Sequence, residues 1–205
     1  MEHRKIFELL KEKIIWLELM PETTINLSEL AESFEVSRTP IKEALILLQA
    51  QGWALYNGSH FIVTPLSLDR IREITEIRCI MEVQGNVWAM HRITSEEFAA
   101  LCELEKKILQ IGDDYTNKQL VELDVHFHRT LFQATKNTQL AELLERLLSH
   151  YLRFWLSMPR EIDPKSYFAE TLEIIRAIVE KDESKLRVSS TAHIKKSLNE
   201  IMGTF

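Results

Sequence analysis

The sequence has no stretch that directs export. Its opening MEHRKIFELLKEKIIWLEL mixes charged and apolar side chains at helical spacing, offering neither the apolar run of a signal peptide nor a membrane span. Cytoplasmic localisation without a membrane partner is the expectation. Cysteine is scarce: Cys79 and Cys102 lack CxxC spacing, which fits free thiols in a reducing compartment better than a disulfide or a zinc ribbon. Both read as core packing. Repeats, low-complexity tracts and a flexible linker are missing as well. So is a basic excess. The formal net charge is −6, and residues 1–66 carry 6 Lys and Arg against 9 Asp and Glu. A nucleic-acid binder usually shows a basic patch or stripe, so composition speaks mildly against DNA and a local motif must carry that case. What is present is apolar material, 45% of 205 residues. That supplies a core for one large domain or two small ones and excludes a disordered chain.

Ile6, Phe7, Leu9, Leu10, Ile14 and Leu17 recur at three- and four-residue steps, predicting a first helix that ends near Met20 and Pro21. Asn26 with Glu29 three residues on has capping-box spacing and opens a second helix through Phe34. A tight turn at Glu35 and Val36 leads to a third helix. Ser37 is placed to cap it, Pro40 falls in its first turn, and Ile41, Ala44, Leu45 and Leu48 form its buried face. Segments around Trp53–Tyr56 and Phe61–Pro65 then flank Asn57-Gly58, a hairpin signal. Three helices and a hairpin are the winged-helix order. From Ser67 onward the pattern is helical, with breaks near Thr94-Ser95, Gly112-Asp113, Asn137-Thr138, Pro159 to Pro164 and Lys181-Asp182. The expected fold is therefore mainly α. Residues 1–66 form a winged helix-turn-helix, and residues 67–205 an antiparallel bundle of six or seven helices.

In a helix-turn-helix the second helix enters the major groove and its N-terminal residues meet base edges. Here that end reads Ser37-Arg38-Thr39-Pro40-Ile41-Lys42. Arg38 can form a bidentate pair with guanine, and Lys42, one turn on, can reach a phosphate or a base. The Ser37 and Thr39 hydroxyls suit phosphate oxygens. Gly58, Ser59 and His60 at the hairpin tip can lie along the adjacent minor groove.

The segment LSELAESFEVSRTPIKEALILLQAQGWA resembles the N-terminal signature of the GntR-type regulators, and the rest of the chain resembles their subclass with a helical FCD effector domain. The resemblance implies a homodimer that binds a double-stranded DNA operator under the control of a small-molecule effector. Departures occur at Ile46 and Leu47, where the family usually has basic residues, and at His60, where it usually has glycine.

Asp124 and His128 lie four residues apart on a helical segment, so both leave one face and suit a divalent metal such as Zn, Ni, Mn or Fe. His126 between them points elsewhere. The family resemblance adds His193 as a further ligand and places Thr171 where a third histidine normally stands, among the effector-contacting residues. A polar, hydrogen-bonded cavity without metal is the alternative for these residues. Arg78 matches an arginine common on the first helix of the FCD domain. It can pair with an effector carboxylate, the class expected of a polar, cationic cavity, or with Glu82. A rival from another class is a metal-dependent enzyme using Asp124, His128 and His193. It needs a nearby base or nucleophile, and no recognisable catalytic motif supplies one.

Overall fold

The computed structural model describes residues 2–112 and 115–205. The chain divides into two compact units, Met1–Ser67 and Leu68–Phe205. The first contains α1 (Glu2–Ile15), β1 (Thr24–Ile25), α2 (Leu27–Ser33), α3 (Arg38–Ala50), β2 (Ala54–Tyr56) and β3 (Phe61–Val63). α1 packs on α3, and Leu10 and Ile14 of α1, Ile41, Leu45 and Leu48 of α3, and Trp53 after it are fully buried. α1 ends five residues earlier than its apolar spacing suggests. Leu17 turns into the left-handed region at φ 58°, and the Leu19 N–H returns to the Lys13 carbonyl, closing the helix end.

The Asn26 side chain caps α2 by accepting from the Ser28 and Glu29 amides. Glu29 closes the box differently from expectation, accepting from the Asn26 side-chain amide at 2.7 Å and not from its backbone. Glu35, at φ 53°, makes the turn into α3. Ser37 stands at the N-cap of α3 but its hydroxyl caps nothing. The reason lies in the third helical position, which Pro40 occupies: the amide hydrogen that a capping serine most often receives is absent there. β3 is the middle strand of a sheet ordered β1-β3-β2, with Tyr56 opposite Phe61 and Ile25 opposite Phe61 on the other side. β1 has no alternation of its own. Two residues become a strand only because β3 offers them a partner.

The second unit is α4 (Leu68–Arg92), α5 (Ser95–Leu109), α6 (Asn117–Ala134), α7 (Thr138–Leu156), α8 (Pro164–Glu180) and α9 (Glu183–Met202). The mainly helical fold and the order of elements agree with the sequence reading. Helix starts follow local chemistry. Thr94 with Glu97 and Thr116 with Gln119 form reciprocal capping boxes, and Asn137, Asp163 and Asp182 cap α7, α8 and α9. Asp113, named in one expected break, lies outside the described residues. α4 contacts α6, α7 and α9, and α8 packs on α9, so α4, α6, α8 and α9 can bring side chains together although they are far apart in sequence. Cys79 and Cys102 are half-buried free thiols, not core residues, because each sits at the edge of its helix's packed face.

Candidate functional site

Ser37, Arg38, Thr39 and Lys42 are all exposed along the start of α3. With Ser28 and His60, the last three line an open groove of about 830 Å³. Arg38 donates a hydrogen bond to the Ser28 hydroxyl across the helix-turn-helix. A lone exposed contact of this kind exchanges readily for another acceptor. Ile46 lines the same groove and is 48% exposed, an apolar side chain on a polar stripe that core packing does not explain. An exposed apolar group there suits a thymine methyl.

The wing tip is a four-residue loop between Tyr56 and Phe61. Asn57 Oδ1 accepts from the amides of Ser59 and His60, and Gly58 takes φ 97° with nothing near a would-be Cβ, so glycine serves the backbone angle and not close packing. The hydrogen-bond network assigns the His60 tautomer: Nε2 accepts from the Asn57 amide at 2.9 Å and Nδ1 donates to the Ser59 hydroxyl at 2.7 Å. His60 is thus held within the turn by its neighbours.

In the second unit, Asp124 and His128 on α6 meet His193 on α9, each offering one ligand atom, all within 4.8 Å of one another. His128 Nε2 lies 3.2 Å from His193 Nε2 and 3.5 Å from Asp124 Oδ2. Donor atoms of a tetrahedral zinc site stand roughly 3.3–3.5 Å apart given its bond lengths, so these separations suit a small divalent cation. The sequence did not reveal what orients His128. Glu82 Oε1 lies 3.1 Å from His128 Nδ1 and assigns the ring proton to that nitrogen, leaving Nε2 with its lone pair toward Asp124 and His193. Acceptors converge here, and either protons or a cation must lie between them. His126, between the two α6 residues, is exposed.

Glu82 also accepts from Arg78, at 2.7 Å from Nε and 3.2 Å from the second nitrogen, and the Arg78 guanidinium lies over the Tyr151 ring at 4.4 Å. Both partners are buried. Burial opposes both charges, but their mutual attraction prevails, holding Arg78 above its ordinary pKa and Glu82, also facing His128, below the carboxylate range. Arg78 therefore meets the structural of its two expected partners, although it still lines the cavity. Asp124 differs. Burial raises its pKa, and His128 and Arg78 only partly counter that. Burial also pulls His193 down to about 3, helped by His128, so its ring is neutral and competent as a ligand near pH 7.

The cavity over these residues measures about 20 Å³, room for one water or one ion. Its charged walls are Arg78 and Lys196 against Asp124, Glu170 and Glu200. By formal charge this balance is net negative, so the walls alone do not supply the cationic cavity on which a carboxylate effector is conditional. Thr171 is fully buried on α8, its hydroxyl has no hydrogen bond, and it is not among the cavity walls. Tyr167, one turn earlier, is among them.

Residues 2–58 match the bacterial regulatory proteins of the gntR family and residues 73–196 match the FCD domain. The Nta operon transcriptional regulator of Aminobacter aminovorans is 26% identical over 186 residues, covering 89% of this chain and 86% of that protein. The HTH-type transcriptional repressor RspR of Escherichia coli is 27% identical over 201 residues, covering 94% and 86%. Among solved structures, E. coli McbR/YncC superposes with a TM-score of 0.82 at 20% identity, over 99% of this chain and 98% of that one, a likeness of fold. No helix among the described residues is long and apolar enough to cross a membrane.

Proposed function

The chain belongs to the gntR family of bacterial regulatory proteins, in the branch that carries an FCD domain, and on that premise we propose that it is a cytoplasmic homodimer whose operator affinity is set by a cation-dependent carboxylate effector. That it is a DNA-binding transcriptional regulator and not an enzyme follows from the family. The finer reading rests on one observation, the convergence of Asp124, His128 and His193, all buried, as acceptors at one cavity. A bare carboxylate meets walls whose formal charge is net negative. A divalent cation held by Asp124, His128 and His193 reverses that field, and it supplies a Lewis-acid position at which a carboxylate oxygen can bind.

Arg38 and Lys42 carry the DNA contact in this reading, Arg38 at a base edge and Lys42 at a phosphate. Ser37, Thr39 and the wing residues Gly58, Ser59 and His60 position the backbone. Two-fold symmetry of the dimer implies a pseudo-palindromic operator. The effector acts by binding one dimer arrangement more tightly than the other, which requires different affinities in the two states. Titration of an operator selected in vitro, with and without Zn2+ and a panel of small carboxylates, tests this. Operator affinity unchanged across the panel in Zn2+-loaded protein would remove the effector reading. For DNA contact, Arg38→Ala weakens operator binding by about 1–3 kcal/mol with folding intact, and equal affinity of mutant and parent would refute the assignment.

A further inference from the structure

Tyr167 stands in the cavity wall beside Asp124, yet its buried hydroxyl makes no hydrogen bond of ordinary geometry. Buried hydroxyls seldom go without a partner, since desolvation without compensation is destabilising. The ring has little freedom to turn away and find one. It packs edge-on against Trp155 at 4.7 Å and against Phe168 at 4.9 Å, and Trp155 is itself fixed by a 3.0 Å hydrogen bond from its Nε1 to Ser197. Thr171, one turn along the same helix face, is also without a hydrogen bond but contributes nothing to the wall. Of these two buried hydroxyls, the phenol is the one that reaches the cavity.

We propose that Tyr167 is a binding residue of the cation centre, donating its phenol hydrogen to an anionic oxygen, carboxylate or hydroxide, that occupies the position left open by Asp124, His128 and His193. A phenol O–H is a donor, and the nearby side-chain atoms of the centre are acceptors facing inward. An anionic oxygen on the cation is an acceptor that meets both demands at once. The residue thereby favours oxyanions over neutral or nitrogen-donor ligands. This rests on reading Asp124, His128 and His193 as a cation site.

The experiment compares the parent chain with Tyr167→Phe, using Co2+ and then formate as probes and the visible spectrum of the cobalt as readout. Both proteins bind Co2+, because its three protein ligands are untouched, and the loaded variant binds formate at least about tenfold more weakly. Equal formate binding by the two loaded proteins overturns the inference, as does a loaded parent that takes up no formate. Failure of the parent to bind Co2+ is a different result: it refutes the cation site itself, and the role of Tyr167 with it.

Discussion

The two arginines of the candidate sites, Arg38 in α3 and Arg78 in α4, occupy opposite environments. Arg38 is exposed and holds one serine hydroxyl, a contact that water or a base edge can replace. Arg78 is buried, paired twice with Glu82 and stacked on Tyr151. Charge on the reading surface is left available, whereas charge in the cavity is bound into a network that runs from Arg78 through Glu82 to His128. A regulator needs both kinds. A DNA-reading group must form its contact only when the operator arrives, and a ligand-binding imidazole must already present one tautomer and one orientation.

If that contrast holds, Arg78→Met destabilises the fold by about 3–5 kcal/mol, because Glu82 is left buried without its cationic partner. Arg38→Ala leaves the melting temperature unchanged. Adding Glu82→Leu to Arg78→Met restores much of the stability but not the metal affinity, since His128 loses the carboxylate that orients it. Thermal melts with and without Zn2+ separate these outcomes, and a harmless Arg78→Met would place the two arginines in the same class.

A smaller effect comes from His150 on α7, whose pKa burial lowers to about 3, aided by Arg70, Arg153 and Arg146. The unfolded chain takes up a proton near pH 6.5 that the folded one refuses. Its contribution is complete above that pH and is lost as pH falls toward 3, on the order of 2–3 kcal/mol by about pH 4. Denaturant titrations across this window should show a shallower fall for His150→Gln. An identical slope would mean that His150 does not carry the acid sensitivity.

Thr171→His adds an imidazole on the helix that faces the cation centre and tightens Co2+ by about tenfold if that ring reaches the three ligands, as a neutral nitrogen replaces a weakly held water. Metal-free operator affinity stays the same. Chelator competition measures the first and DNA titration the second; unchanged Co2+ affinity in a folded protein would show that α8 presents position 171 away from the centre. The smallest effect is expected at Lys42. Lys42→Ala weakens specific and scrambled DNA alike and reduces the salt slope by about one, whereas loss of sequence preference would move Lys42 from phosphate to base contact.

The elements that local chemistry specifies were legible without coordinates. The helix breaks near Thr94, Asn137 and Asp182, the buried face of α3 and the Asn57-Gly58 turn depend on neighbours within four residues, and so does the common face of Asp124 and His128. Ser37 is the exception that proves local in another way, its capping role lost to the missing amide hydrogen of Pro40. β1, by contrast, exists only through β3. The approach of His193 to His128 and the link from Glu82 to His128 likewise depended on how α4, α6 and α9 pack, because spacing along one chain says which side chains share a helix face but not which faces meet. The same packing leaves the cavity walls net acidic and the Tyr167 hydroxyl facing Asp124 without a hydrogen bond of ordinary geometry, so sequence alone determined the kinds of chemical group available, and tertiary structure decided which of them were satisfied by one another and which were left for a ligand.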